Sequence, residues 1–368
     1  MFSARAASKA SAAKPERIGI LVQWGIGDAV LTLPLIHGLR EAYPDAILDV
    51  IGKPWLADLF ADDDAIDGCR TLVPPWTNYA GKYRLWERDW RLYLKSLWAI
   101  RRKHYDWLIG PRFDVRDNLQ LRLINPRLTV GFASAGGQCW IDRDLGLDLD
   151  GHNALHRSEV TAHILTTLTG LVRSPIPRLT VPDEARRKAR DRLQAAGYVG
   201  GPIVAIHGGA GRALRRWKGE RFSEVLTKSL PTNAFVVVIA DNEGPDGYGI
   251  RPPSGVPSML WRSSLTDLKG LLACADVILC ADSGVMHMAA ACGCRVVTVF
   301  GPTAPQWFGP SGEGHRVVKV DPMPCRPCFD DCIYARPICM DSLSSDPVAD
   351  AMRLALGETD RSAMRRGL

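Results

Sequence analysis

The chain has no apolar run approaching the roughly 18 residues that carry a helix across a bilayer. Its opening stretch, MFSARAASKASAAKPER, is rich in Ala, Ser and Lys. It has no apolar centre of the kind a secretory leader needs, so residues 1–16 are expected to be a disordered tail. The compartment is then read as reducing, and the ten cysteines are not a disulfide scaffold. Neither half opens with G-x-G-x-x-G, which argues against a dinucleotide-dependent oxidoreductase. No short solenoid period is present. Basic residues do not form an aromatic-interleaved stripe, so nucleic-acid binding is not suggested.

What is present suits a two-domain enzyme. The 368 residues exceed one ordinary core and fit two domains of roughly 150 residues each. Hydrophobic residues make up 46%, and the net charge of +6 leans toward an anionic partner such as a nucleotide or an anionic membrane surface.

The stretch from 267 to 310 organises the rest. Leu268, Leu271, Leu272 and Ala275 recur at helical spacing. Residues 277–281 are wholly apolar and suit a strand buried on both faces. Asp282-Ser283-Gly284 breaks the run, residues 285–292 suit a buried helix, and residues 296–300 form a second strand ended by Gly301-Pro302-Thr303. This is a βαβ unit of a parallel sheet, whose ligands bind beyond the carboxyl ends of the strands. Ser283 and the first amides of the helix can donate to phosphate oxygens, and the helix dipole favours negative charge there. Gly284 would permit close backbone approach and an unusual φ. Asp282 can face a phosphate only if protonated or if it positions a donor. His287 falls one turn into the helix. The alternative is a capped buried helix in which Asp282 or Ser283 only caps.

The first half opens with a strand over 17–23 and the turn Gly25-Ile26-Gly27-Asp28, then a helical pattern over 29–43 that Pro34 should kink. An acidic Asp28 is wrong for a phosphate cradle, so it does chemistry or caps. Strands are expected over 47–51, 70–73, 105–110 and 129–132, and helices over 54–60, 85–103, 115–124 and 153–171. The helix over 85–103 sets Trp86, Trp90, Tyr93, Leu94, Leu97, Trp98 and Ile100 among Arg84, Arg88, Arg91, Lys95, Arg101, Arg102 and Lys103. It either packs on the sheet with its charges solvated or lies on an anionic membrane. Residues 172–184, with three prolines, read as a linker.

The second half starts with a charged helix over 184–196 and a strand over 203–207. His207-Gly208-Gly209-Ala210-Gly211 and the cations Arg212, Arg215, Arg216 and Lys218 follow. Four cations after a glycine-rich strand exit make a trap for a di- or triphosphate. A helix over 222–230 leads to a strand over 235–240, where Asp241 or Glu243 could take ribose hydroxyls. The expected organisation is a tail at 1–16, a Rossmann-like domain at 17–172, a linker at 173–184, a second Rossmann-like domain at 185–345, and a C-terminal helix and tail at 346–368. Two such domains facing one another would leave a cleft.

Taken together, G-I-G-D-A-V-L-T-L-P (25–34), R-R-W-K-G-E-R-F (215–222), D-S-G-V-M-H-M-A-A-A (282–291) and F-G-P-T-A-P (300–305) resemble the ADP-heptose:lipopolysaccharide heptosyltransferase family. The resemblance runs from residue 17 to about 356 and implies an α/β, GT-B fold with an N-terminal acceptor domain and a C-terminal donor domain. It implies transfer of heptose from ADP-heptose, with inversion and without a catalytic metal or other required cofactor. The acceptor would be a lipopolysaccharide core or lipid A-type molecule at the cytoplasmic face of the inner membrane. Asp28 would be the base, with Gly25 and Gly27 shaping the acceptor-side turn. Arg215, Arg216, Lys218, Glu243, Asp282, Ser283, Gly284, His287 and Thr303 would lie on the donor side. Where the family often has a lysine before its arginine–tryptophan pair, this chain has Arg215, and the usual proline after the tryptophan is Lys218. The phosphate contact therefore stays open among Arg215, Arg216 and Lys218. Other readings are a GT-B enzyme using another nucleotide sugar or a protein acceptor, and a non-catalytic metal- or nucleotide-binding sensor.

Cys325-x2-Cys328-x3-Cys332-x6-Cys339 lies in a proline-rich loop over 325–339. Four clustered thiols are compatible with a structural Zn or Fe site, although the later spacings match no standard finger. Free or redox-linked loop cysteines are the alternative.

Overall fold

The computed structural model describes residues 14–77, 89–241, 246–328 and 331–365. Most of the expected N-terminal tail, Arg84, Trp86 and Arg88 of the expected basic helix, and Glu243 lie outside the described residues. The chain divides into two compact units, residues 1–177 and 178–368.

The first unit is built on six parallel strands: β1 (Arg17–Val22), β2 (Ile47–Gly52), β3 (Gly68–Thr71), β4 (Trp107–Ile109), β5 (Leu128–Gly131) and β6 (Arg143–Asp144). They lie in the order β3-β2-β1-β4-β5-β6. The central strands are apolar because helices cover both faces: Ile18, Ile20, Val50, Leu108 and Val130 are fully buried. The helical pattern over 29–43 is two helices, α1 (Ile26–Leu31) and α2 (Leu33–Ala42). They break at Thr32, since Pro34 sits in the first turn of α2 and has no N–H to continue α1. The other helices that matter here are α3 (Trp90–Arg101), α4 (Val115–Ile124) and α5 (Arg157–Thr169).

The second unit repeats the plan with β7 (Ile203–His207), β8 (Phe235–Ile239), β9 (Ser258–Trp261), β10 (Val277–Ala281), β11 (Arg295–Phe300) and β12 (Arg316–Lys319), ordered β12-β11-β10-β7-β8-β9 and all parallel. Its helices include α6 (Asp183–Ala195), α7 (Gly219–Ser229), α8 (Leu265–Cys274), α9 (Gly284–Ala291) and α10 (Ser345–Arg365). Residues 172–182 of the proline-rich stretch hold no helix or strand, and the expected linker's last two residues, Asp183 and Glu184, open α6. Leu179 at its end is buried, and its N–H donates to the Ala291 carbonyl of the second unit.

Relative to the first strand of each unit, the two strand orders are the same. In such sheets ligands bind at the carboxyl ends of the strands, at the point where the order reverses. That point lies between β1 and β4 in the first unit and between β7 and β10 in the second.

Candidate functional site

In the second unit, the crest at the reversal point is a clamp around Asp282. This residue follows β10 and is buried. Arg215, from the loop after β7, reaches its Oδ2 at 3.2 Å, and the Thr303 hydroxyl, after β11, donates to the same oxygen at 2.6 Å. Three strand exits are thereby tied at one carboxylate. Of the three cations left open by the sequence, Arg215 is the one brought to the D-S-G turn. Arg216 instead donates to the Ala210 carbonyl, and Lys218 faces Asp341 at 3.6 Å on the surface. Trp217 between them is an anchor: it is buried, donates to the Leu343 carbonyl and meets the Phe222 ring edge-on.

Ser283 holds the N-cap position of α9 but makes no side-chain cap. Its Oγ is shielded from solvent and has no hydrogen-bond partner. Leaving a buried hydroxyl unsatisfied costs about 1–3 kcal/mol, and at a helix N-terminus an anion is one group that can relieve it. The simple capping alternative is therefore not what Ser283 does. Gly284 is the first residue of α9 and is not among the glycines with positive φ, so the unusual conformation expected there is not adopted. Regular helical geometry suffices to aim its N–H along the axis. His287 is buried one turn further in.

Beside the clamp, after β8, Asp241 accepts from the buried His207 ring at 3.3 Å and from the Tyr248 hydroxyl. The bond from His207, acting against desolvation, holds the Asp241 carboxyl below its usual range. The ribose position assigned to Asp241 or Glu243 thus has Asp241 at the strand end, already engaged with two side chains.

In the first unit, Asp28 is the third residue of α1 and accepts from the Gly25 N–H at 3.0 Å. Gly25 is the N-cap with an extended backbone, and Gly27 lies in the first helical turn. Asp28 therefore caps: Oδ2 takes the backbone, while Oδ1 lies 3.7 Å from Arg112. Three cations surround it. Burial lowers the pKa of Lys53 while the Asp28 charge opposes that shift. Burial, helped by repulsion from Arg112, lowers Arg157 to about 10, again opposed by Asp28. Lys53 leaves β2, Asp28 follows β1 and Arg112 follows β4, so neighbouring strand ends deliver them together.

Beneath this turn lies a buried support that the sequence reading did not name. Asp117, in the first turn of α4, is fully buried. It accepts from Gln23 Nε2 at 2.7 Å and from Trp24 Nε1 at 2.9 Å. The Trp24 ring is contacted by the Arg112 and Arg116 guanidiniums at 4.3 and 4.4 Å from its centroid. Burial pushes the Asp117 carboxyl up to about 7. The strand order, which places β1 beside β4, is what brings Trp24 and Arg112 together.

The sequence offers the cysteine loop as a structural metal site or as free or redox-linked cysteines. No disulfide joins these cysteines, and among the described residues no three metal-binding side chains are placed to hold an ion. Thiolates are suitable donors for Zn or Fe. Burial raises the pKa of Cys339, and nearby Cys325, Cys328 and Cys332 add to it against Arg326. The loop is fastened to backbone carbonyls: the Arg326 guanidinium donates to that of Gly301 at 2.7 Å, and the Cys328 N–H to that of Pro302 at 3.1 Å. A Cβ at Gly301 would stand 2.4 Å from Met340 Sδ and 3.3 Å from Cys339 Sγ, so a larger residue there would push on the side chains packed over this turn. The residues thus fastened directly precede Thr303 of the clamp.

Two parallel α/β units, each with a charged crest where its strand order reverses, are the architecture of a GT-B fold. Residues 99–336 match glycosyltransferase family 9 (heptosyltransferase), and the chain belongs to that family. It is 24% identical over 292 residues to lipopolysaccharide heptosyltransferase 3 of Escherichia coli, covering 75% of this chain and 81% of that one. The solved ADP-heptose LPS heptosyltransferase II of E. coli superposes with a TM-score of 0.71 at 17% identity, covering 94% of this chain and 99% of that one. The dodecameric iron-containing heptosyltransferase TibC, solved in complex with ADP-D-beta-D-heptose, shares the fold with a TM-score of 0.52 at 14% identity, covering 95% of this chain and 77% of that one.

Proposed function

We propose that the chain transfers a heptose from ADP-heptose, with inversion, to a lipopolysaccharide core acceptor on the inner face of the inner membrane. The second unit holds the donor and the first the acceptor. The observation that carries this reading is the unsatisfied Ser283 hydroxyl at the N-terminus of α9, beside the Arg215–Asp282–Thr303 clamp. The donor diphosphate takes up the Ser283 Oγ and the first amides of α9, with Arg215 held at its side by Asp282. His287 supports the same turn, and Asp241 faces the ribose.

In the reaction the acceptor hydroxyl attacks the anomeric carbon from the face opposite ADP. The new C–O bond forms as the bond to the diphosphate oxygen breaks, and ADP leaves with that electron pair. The acceptor proton passes to Asp28. The charge growing on ADP meets donors already in place, so little reorganisation is needed at the moment of transfer. A carboxylate is a weak base at neutral pH, which suffices when the sugar–oxygen bond breaks early and the hydroxyl loses its proton late. Lys53, Arg112 and Arg157 suit an acceptor that itself carries negative charge. No step requires a metal, and the cysteine loop acts by holding the turn at 301–303.

Calorimetric titration with ADP, UDP and GDP, with and without EDTA, tests the donor half. Selective ADP binding that chelator leaves unchanged is expected. Preference for UDP or GDP would reject ADP-heptose as donor, and no nucleotide binding by folded protein would reject the donor site itself.

A further inference from the structure

Helix α3 has two faces that ask for different surroundings. Tyr93, Leu97 and Ile100 point inward and join the buried cluster with Leu121 and Ile124 of α4, and the Tyr93 hydroxyl donates to Gln120 at 2.8 Å. The opposite side carries Arg91, Leu94, Lys95, Trp98, Arg101 and Arg102 at spacings of three and four, all exposed. Leu94 is 56% exposed and Trp98 60%, and Leu92 on the flank is 60% exposed. The Arg102 guanidinium stacks over the Trp98 ring at 4.5 Å from its centroid. Residues 90–104 contain five Lys or Arg residues and no carboxylate.

Scattered exposed leucines need no explanation, but a tryptophan and two leucines within one basic, acid-free helix do. A packed helix with solvated charges accounts for the inner face and leaves the outer apolar groups unexplained. A second copy of the chain is a poor occupant. A two-fold interface would set this cationic stripe against itself. The charge and the amphipathic indole instead match an interfacial layer of anionic headgroups, where Trp sits at headgroup depth and long basic side chains reach outward to phosphate.

We propose that α3 docks the protein on a bilayer surface rich in anionic phospholipid, with Leu94 and Trp98 entering the headgroup–acyl boundary and Arg91, Lys95 and Arg102 binding lipid phosphates. The helix does this without leaving its fold, because Tyr93, Leu97 and Ile100 keep it anchored. The inference deepens the proposed placement of the reaction at the inner membrane, and vesicle binding is read without transfer, so either can fail while the other holds.

Co-sedimentation of the full chain with vesicles of phosphatidylcholine alone, or of phosphatidylcholine with phosphatidylglycerol, tests it. The protein should pellet with the anionic vesicles only, and added salt should release it. The double substitution Leu94→Ser/Trp98→Ser, and separately Arg91→Ser/Lys95→Ser/Arg102→Ser, should each weaken partitioning by about tenfold or more, with circular dichroism unchanged. Three results would each overturn the proposal. The first is equal pelleting with both vesicle types or with neither. The second is unaltered binding by both variants. The third is a dimer in solution that the Leu94/Trp98 variant dissociates, without vesicle binding.

Discussion

At the scale of single residues, both crests depend on carboxylates that serve other side chains. Asp282 holds Arg215 and accepts from Thr303, so Thr303→Val removes one bond to a buried charged group at nearly constant volume. The expected cost is about 1–3 kcal/mol of stability together with weaker ADP binding, and Thr303→Ser should restore both. Melting temperature and calorimetry on the two variants check this. Asp117 makes a pH prediction. Its carboxyl is raised from the ordinary range near 4 to about 7, so the folded protein binds a proton there that the unfolded chain has released. Its contribution to stability is full below about pH 4 and is lost as pH rises toward about 7, on a scale of about 1.4 kcal/mol per pKa unit. Asn mimics the protonated acid, and its oxygen can still accept from Gln23 and Trp24. The stability of Asp117→Asn relative to the natural protein should therefore rise from acidic to mildly alkaline pH. A flat difference in urea unfolding across that range would contradict the assignment. Asp117 could not be singled out in the sequence, since a carboxylate in the first turn of a helix reads as an ordinary dipole partner.

At the scale of elements, the reading succeeded where apolar pattern and burial agree. The strands at β7 and β10 and the helix α4 fall at the residues expected, because a strand covered on both faces must be continuously apolar and a capped helix announces its ends. β6, β9 and β12 were missed. β6 and β12 are polar or mixed (Arg143–Asp144 and RVVK), and all three lie at sheet edges, where one side needs no apolar partner. β9, SMLW, is four residues with only Trp261 buried. Helix packing supplies a further test. A Cβ on Gly270 of α8 would stand 2.2 Å from the Ala185 carbonyl oxygen of α6. Alanine in a helix interior gains about 1 kcal/mol over glycine. Backbone cannot rotate aside as a side chain can, so the clash, at about 1–3 kcal/mol or more, outweighs the gain. Gly270→Ala should lower the urea midpoint, and an unchanged or raised midpoint would show that the two helices separate at little cost.

At the scale of the molecule, one plan is used twice. Each unit brings charged groups from neighbouring strand ends to the point where its strand order reverses, and the account assigns one crest to the acceptor and the other to the donor. The Gly25–Asp28 turn and the Asp282–Gly284 turn were legible because polar residues interrupt apolar strands there. The partners Arg112, Lys53 and Arg157 were not, because they follow β4 and β2 and open α5, and only the fold brings these distant segments to Asp28. The cysteine loop shows the opposite limit: its spacing suggests a metal site but gives no hint of its contacts to the Gly301 and Pro302 carbonyls, which fasten it beside the clamp.

The central claim is that Asp28 takes the acceptor proton while the second unit alone holds the donor. The most direct measurement is transfer from ADP-heptose to a lipopolysaccharide core acceptor by the natural chain and by Asp28→Ala, with ADP affinity measured on both. The account predicts a loss of turnover of about 10²-fold or more with ADP affinity unchanged. Turnover that survives Asp28→Ala would contradict it, and a parallel loss of ADP affinity would show that Asp28 serves the donor instead.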